Sequence, residues 1–346
     1  MDLQALQGAA AAAMLRLPEA VLGRMLRDGR TTVEGQTLDL RTQLLLQLME
    51  MGGVRPMNEL TIAQARREFE GDTGALGPSM RRMASVVDRT VAGPGGELPL
   101  RVYVPVHDGA GRLPALVFYH GGGWAIGSLD THDRLARFLA ADAGCVVVSV
   151  DYRLGPEHKF PAAVEDAVAA FDWVAENADE LNVDAARIAI GGDSAGGNLA
   201  AVVSQSVAAA DVRPCFQLLI YPVTDLRCDS ASYISFENGF FLTRDLMHWF
   251  RGHYLSDPAE ADDPRASPLL AADLTGVPPA LVLTAGFDPL RDEGAAYAAR
   301  LKEAGVEVAY RCYDGLIHGF ASLSGPIPAG RAAVDDAAAG LRRALS

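Results

Sequence analysis

The stretch Ile188-Ala189-Ile190-Gly191-Gly192-Asp193-Ser194-Ala195-Gly196-Gly197-Asn198 decides how this chain folds. An apolar run leads through glycines into residues that continue as a helix, so a strand turns sharply into a helix at Ser194. Inside it lies Gly-x-Ser-x-Gly, from Gly192 to Gly196. A serine at the apex of such a turn has a strained backbone, and only small neighbours avoid clashing across it. The turn lifts the hydroxyl out of the sheet edge. It also puts the N–H of Ala195 at the positive end of the following helix, facing an incoming anion. A phosphate-cradling loop is the competing reading of a glycine-rich turn, but Gly197 is followed by Asn198 and Leu199, not by the Lys-Ser/Thr of that pattern.

Working outward, the same texture repeats. Short β-branched runs at 86–91, 98–104, 115–119, 145–150, 187–190, 216–220, 280–284 and 307–312 are the candidate strands, and helix-length segments at 129–142, 161–178, 195–209, 290–304 and 329–345 lie among the later ones. Continuous apolar strands separated by helices of roughly 10 to 15 residues require crossover connections. The fold class is therefore α/β, a mostly parallel eight-stranded sheet flanked by helices. Residues 1–80 carry helical periodicity, with Leu44, Leu45, Leu46, Leu48, Met49 and Met51 clustered and no convincing strand, and are read as a separate helical region ahead of an 81–346 α/β unit. The aromatic-rich segment 230–255 interrupts the alternation. It reads either as a helix packed on the sheet or as a wall of a substrate pocket.

Three further constellations carry chemistry. His120-Gly121-Gly122-Gly123-Trp124 directly follows the 115–119 strand. Consecutive glycines let main-chain N–H groups approach a reacting carbonyl, where each donor to a developing oxyanion is typically worth about 3 kcal/mol. His120 is read as holding that loop. Asp288 follows the strand that begins at Ala280, and an acid at a strand's carboxyl end can meet groups from other strand ends. Asp292 and Glu293 fall one turn into the next helix and read as solvated helix-N-terminal acids. His318, in Leu316-Ile317-His318-Gly319-Phe320, comes after the last strand. A neutral imidazole can take the serine proton, and a buried carboxylate fixes its tautomer and supports the cation that forms. Asp314 reads as a strand end or turn before Gly315. His132, His158, His248 and His253 read as helix or loop residues. The order Ser194, Asp288, His318 is the nucleophile, acid, histidine order of α/β-hydrolases. Trp124, Phe240 and Phe241 are the candidates for pocket lining, against the default that aromatics are core.

The bulk composition narrows the alternatives. A net charge of −14, from 30 basic and 44 acidic residues, repels phosphate backbones and anionic lipid, and no Lys/Arg run offsets it. Neither a nucleic-acid partner nor a membrane is expected, since no apolar stretch approaches the length of a spanning helix. The run Ala9 to Ala13 is preceded by Asp2 and by no Lys or Arg, unlike a secretory signal. Four widely spaced cysteines read as small buried hydrophobes in a reducing compartment, which points to the cytoplasm. No His/Cys/Asp spacing suits zinc, His-Glu-x-x-His is absent and Glu157-His158 reads as a structural loop pair, so neither metal nor organic cofactor is expected.

At these residues the chain resembles the hormone-sensitive-lipase-like (bacterial type IV) family of carboxylesterases, within the α/β-hydrolase fold. The resemblance runs from about Ser85 to Ser346 and is carried by the loop at His120, by Asp151-Tyr152-Arg153-Leu154-Gly155-Pro156-Glu157-His158-Lys159-Phe160-Pro161-Ala162, by the turn at Gly192, by Asp288-Pro289-Leu290 and by His318-Gly319-Phe320. It implies a Ser194-His318-Asp288 triad, an oxyanion hole from the N–H groups of Gly121, Gly122 and Ala195, and an N-terminal helical cap that admits a contribution from 230–255. Short- to medium-chain acyl esters are the substrates it implies, cleaved through an acyl-enzyme without cofactor. It also admits a homodimer through a sheet-edge strand. Gly155 stands where the family commonly has Ala. Two rivals share the fold: a non-catalytic small-ligand-binding protein, whose kind typically lacks the histidine, and a small serine peptidase or amidase using the same triad.

Overall fold

Each of the eight runs forms a strand, and one sheet takes them all. The structure is a computed structural model that describes residues 3–109 and 111–346; Met1 and Asp2, at the start of the expected helical region, lie outside them. That region contains α1 (Leu3–Met14), α2 (Glu19–Leu22), strands β1 (Thr32–Val33) and β2 (Gln36–Thr37), α3 (Leu40–Met51) and α4 (Ile62–Leu76). Then come β3 (Met83–Gly93), β4 (Gly96–Pro105), β5 (Leu113–Tyr119), α5 (Asp133–Ala143), β6 (Val146–Val150), α6 (Ala162–Glu176), β7 (Val183–Asp193), α7 (Ala195–Ser206) and β8 (Gln217–Ile220). The chain closes with α8 (Ala231–Ser235), α9 (Arg244–Tyr254), β9 (Ala280–Phe287), α10 (Arg291–Glu303), β10 (Val308–Ile317) and α11 (Pro328–Ala344).

The strand order is β10-β9-β8-β7-β5-β6-β4-β3. Pairing is parallel from β6 across to β10, while β4 runs antiparallel to both β3 and β6. Alternating side chains feed two cores, because successive residues of a strand point to opposite faces. Val146, Val148 and Val150 join Phe171 of α6 and Leu199 of α7 on one face. Cys145 and Val147 join Phe138 of α5 and Leu341 of α11 on the other. With both faces covered, the central strands read as unbroken apolar runs.

Three expectations need correction. The 230–255 segment is not one helix: it forms α8 and then α9, whose start is capped by Thr243 accepting from Leu246 N at 3.1 Å. Asp314 does not end a strand, because β10 continues through an irregular register to Ile317, and Asp314 accepts from Gln36 Nε2 at 3.3 Å. The hairpin β1–β2 lies where no strand was read; Glu34 and Gly35 turn it with φ of 52° and 79°, the twist a two-residue hairpin needs. The four cysteines are free, Cys145 and Cys228 buried and Cys215 and Cys312 half-buried. Among the described residues no helix is long and apolar enough to cross a membrane.

Asp39 joins the helical region to the sheet. Its Oδ1 accepts from the amides of Arg41 and Thr42, at 3.0 and 2.9 Å, to cap α3, while its own amide donates to the Gly315 carbonyl on β10 at 2.8 Å. Asp39→Ala removes the cap and should lower stability by about 1 kcal/mol, read as a shifted urea midpoint with unchanged slope. No shift would mean that the cap is not formed in solution.

Candidate active site

Because β5, β7, β9 and β10 all run the same way, their carboxyl ends lie along one edge of the sheet, and the loops that leave them converge there. β7 ends at Asp193, and Ser194 follows with φ 55° and ψ −118°, a conformation that costs a non-glycine residue on the order of 1–3 kcal/mol. The sharp turn forces α7 against the end of β5: a side chain on Gly196 would overlap the Tyr119 carbonyl. Ser194 N is tied to the Ile220 carbonyl at 2.9 Å, at the end of β8. Asn198 Nδ2 donates to the carbonyls of Val223 and Ala266, both at 2.9 Å, and so locks the first turn of α7 to its surroundings.

The three residues singled out from the sequence meet at this turn. His318 Nε2 lies 2.9 Å from Ser194 Oγ, and His318 Nδ1 lies 2.8 Å from Asp288 Oδ2. Asp288 is fully buried and its other oxygen accepts from Leu290 N at 2.9 Å. A carboxylate acceptor at Nδ1 assigns the imidazole proton to that nitrogen, which leaves Nε2 free to accept from the serine hydroxyl. This arrangement can draw the proton from Oγ as it attacks a carbonyl and can hold the resulting imidazolium.

The glycine loop departs from expectation by one residue. Gly121 N donates to Asp193 Oδ1 at 2.9 Å, so that amide is already engaged and cannot serve a substrate oxygen. The amides of Gly122 and Gly123 have no acceptor among the described residues. That of Ala195, first residue of α7, has no intrahelical acceptor. Three equivalent glycines give a sequence reading no means of choosing among them; the choice is made by Asp193.

Asp193 and His132 are the residues that the sequence reading missed. Asp193 is buried, and besides Gly121 it meets His132 Nε2 at 3.3 Å and Tyr221 OH at 3.3 Å. Burial works to raise its pKa, but His132 and the Gly121 amide outweigh it and hold the carboxyl below its ordinary value. His132 Nδ1 lies 2.8 Å from Thr131 Oγ1. His120 is fully buried, stacked on Tyr152 with ring centroids 4.4 Å apart, and its Nδ1 lies 2.8 Å from the Gly121 carbonyl. Burial pushes its pKa down to about 3, so it stays neutral and works as a wedge behind the loop.

The aromatic candidates divide. Trp124 is fully buried and stacks on Tyr254 of α9 at 4.2 Å and 7°, so it fills the interior between loop and helix and lines no pocket. Phe240 packs with Phe236 and Phe287, at 5.6 and 5.1 Å, beside the end of β9. Phe241 is 38% exposed, and its ring lies 3.2 Å from where a side chain on Gly319 would begin, next to His318. Phe250 of α9, not singled out from the sequence, abuts Gly123 so closely that a side chain there would overlap its ring. It forms an apolar wall beside the free amides.

Asp292 and Glu293 are not solvated helix-terminal acids. Asp292 accepts from Ser232 N at 2.9 Å and pairs with Arg291 at 2.8 Å. Glu293 is buried, its Oε1 accepting from the amides of Thr224 and Asp225 at 2.7 and 3.1 Å. The first turn of α10 faces the loop after β8, a contact between distant segments that local spacing does not reveal. Among the described residues, no group of three or more His, Cys, Asp or Glu side chains is arranged to hold a metal ion.

Comparison with known proteins agrees with this geometry. Residues 116–322 match a family described as having the alpha/beta hydrolase fold. The chain is 46% identical over 310 residues to the carboxylic ester hydrolase LipN of Mycobacterium tuberculosis, covering 87% of this chain and 81% of that one. It is 40% identical over 283 residues to an ethyl acetate hydrolase of Pseudomonas putida, covering 80% and 89%. Among solved structures, an ester hydrolase from the metagenome of Lake Arreo, complexed with a bipyridine phosphonate derivative, is similar at a TM-score of 0.85. It shares 46% identity and covers 88% of this chain and 98% of its own.

Glu293 generates a pH prediction. Burial raises its folded-state pKa well above the ordinary 4.5. Its stability contribution is therefore complete below the unfolded value and is lost as pH rises through the folded one. Glu293→Gln keeps an acceptor for the two amides and cannot ionise. Urea unfolding should find the variant more stable than wild type at about pH 8 and without that advantage near pH 4. An advantage of equal size at both pH values would refute the assignment.

Proposed function

Because the chain belongs to the α/β-hydrolase family and is a carboxylic ester hydrolase, we propose that it cleaves small-molecule esters of short to medium acyl chain through acyl transfer to Ser194. The observation that carries this reading is the continuous chain Ser194 Oγ, His318, Asp288, with separations of 2.9 and 2.8 Å. Ser194 attacks the ester carbonyl while His318 Nε2 takes its proton. The carbonyl oxygen gains charge and is held by the amides of Gly122, Gly123 and Ala195, which are oriented before the reaction and need no rearrangement. His318 returns the proton to the departing alcohol, then takes one from a water that attacks the acyl carbonyl and gives it to Ser194 Oγ as the bond to the acyl carbon breaks and the acid leaves.

The same reading assigns residues 1–80, with α8 and α9, to a cap over this site. Supporting it, Glu34 at the hairpin tip pairs with Arg291 at 2.9 Å and bonds Ser235 of α8, and Phe250 of α9 closes against Gly123. Phe241 and Phe250 are then the pocket walls nearest the reacting atoms. A homodimer would form through an edge strand of the sheet, β10 or β3, which lie at the two ends of its order. The free cysteines suit a cytoplasmic, reducing location. Binding without catalysis is disfavoured, because the hydroxyl already has its base at hydrogen-bond distance.

With p-nitrophenyl butyrate as substrate, Ser194→Ala should lose about 10⁵-fold or more in kcat while remaining folded. Residual turnover within about a hundredfold of wild type would refute the nucleophile. Asp288→Asn should lose on the order of 10⁴-fold, and Asp292→Asn less than about tenfold; the reverse ranking would overturn the choice of acid. Across p-nitrophenyl acetate to palmitate, kcat/KM should peak among the shorter chains, and a peak at palmitate would contradict the substrate class.

A further inference from the structure

Arg66 belongs to α4, outside the strand-end loops, yet its guanidinium reaches into them. Nε donates to the Ala125 carbonyl at 2.9 Å and Nη2 to the Gly155 carbonyl at 2.9 Å. Nη1 and Nη2 also grip both oxygens of Glu157, at 2.9 and 2.7 Å. The fixed fork of donors therefore ties two loops and one helix together at a single planar group. The Arg66 and Glu157 side chains are 29% and 50% exposed, so their ion pair contributes little stability in itself. What the cluster does is fix geometry.

That geometry runs directly to the free amides. Gly122 C=O and Gly123 N–H belong to one rigid peptide plane and point in opposite directions, so whatever holds the carbonyl aims the amide. The Gly122 carbonyl accepts from Ala125 N at 3.1 Å and Ile126 N at 3.0 Å. Ala125 is in turn held at its carbonyl by Arg66, and the preceding carbonyl, of Trp124, accepts from Gly155 N at 2.8 Å. Arg66 bonds the carbonyl of Gly155 as well, so it contacts both residues that support the turn. On the acyl transfer to Ser194 proposed above, on which this rests, we propose that Arg66 is a positioning residue for the oxyanion site: helix α4 aims the Gly123 amide through Ala125 and Gly155.

Gly155 fits the same scheme. A side chain there would overlap the His253 carbonyl of α9, the helix that also brings Phe250 against Gly123. The glycine allows α9 to sit close to the Arg66 cluster. The glycine at 155 is thus connected to the wall beside the amides.

A donor misplaced by about 1 Å can cost on the order of a hundredfold in rate without weakening ground-state binding. Arg66→Ala should therefore lower kcat on p-nitrophenyl butyrate by about ten- to a hundredfold, with KM changed by less than about threefold. Its rate of inactivation by diethyl p-nitrophenyl phosphate should fall with kcat, since phosphorylation of Ser194 also develops charge on an oxygen. The midpoint of the pH–rate profile, which reports the base, should not move. Arg66→Lys, able to reach one carbonyl, should fall between, and it carries the test if Arg66→Ala does not fold. Glu68→Gln, which removes the exposed pair of α4 with Arg55, is the control and should keep the wild-type kcat. A folded Arg66→Ala whose kcat stays within about twofold of wild type overturns the inference. So does a loss confined to KM, or a moved pH midpoint. Failure of the underlying reading is distinct, since there Ser194→Ala itself would retain turnover.

Discussion

The site depends on one close approach, that of Gly196 to the carbonyl of Tyr119. It lets α7 start directly against the end of β5, so the loop leaving β5 and the serine leaving β7 face a common point. The strain at Ser194, with φ 55°, is the consequence of that approach. The bonds from Ser194 N to Ile220 and from Asn198 to Val223 and Ala266 offset it. Each such bond contributes on the order of 1 kcal/mol, so the set is comparable to the strain it opposes. A larger residue at position 196 would push the helix away from β5 and separate the amide of Ala195 from those of the glycine loop.

Two Asp-His pairs flank the turn, and their difference in surroundings gives them different work. Asp288 and His318 face Ser194, and the free nitrogen of the imidazole reaches the hydroxyl. Asp193 and His132 are buried behind the glycine loop, with Asp193 spending an oxygen on the Gly121 amide. Tyr221 touches both pairs: its ring centroid lies 4.6 Å from that of His318 and its hydroxyl 3.3 Å from Asp193. Consecutive residues Asp193 and Ser194 thus serve opposite sides of one turn. One fixes the loop, and the other presents its hydroxyl in front of it.

The central strands were legible because a sheet covered on both faces demands unbroken apolar runs, as in β5, β6, β8 and β9; β3, β4 and β10 were legible from shorter β-branched stretches broken by charged residues. Ser194, Asp288 and His318 were legible as candidates because each follows a strand and their order is distinctive. The hairpin at Thr32–Thr37 was not, since two-residue strands carry no period. The register of the glycine loop depended on Asp193, whose carboxylate marks Gly121 as engaged; nothing local to His120–Trp124 records that. Trp124 was misjudged as lining because burial against Tyr254 is set by α9, about 130 residues later in the chain. Glu293 was misjudged for the same reason, its partners Thr224 and Asp225 coming from another loop.

The N-terminal helical region meets the rest of the molecule at points that bear on chemistry. Glu34 pairs with Arg291, whose amide bonds the Asp288 carbonyl at 3.1 Å. Asp39 bonds Gly315, three residues before His318. Arg66 bonds Ala125, two residues after Gly123. These contacts lead, in turn, toward Asp288, His318 and the glycine loop. On the cap reading proposed above, these three separate anchors let a change in the helices act on the aim of the loops that carry Asp288, His318 and the glycines as well as on the pocket.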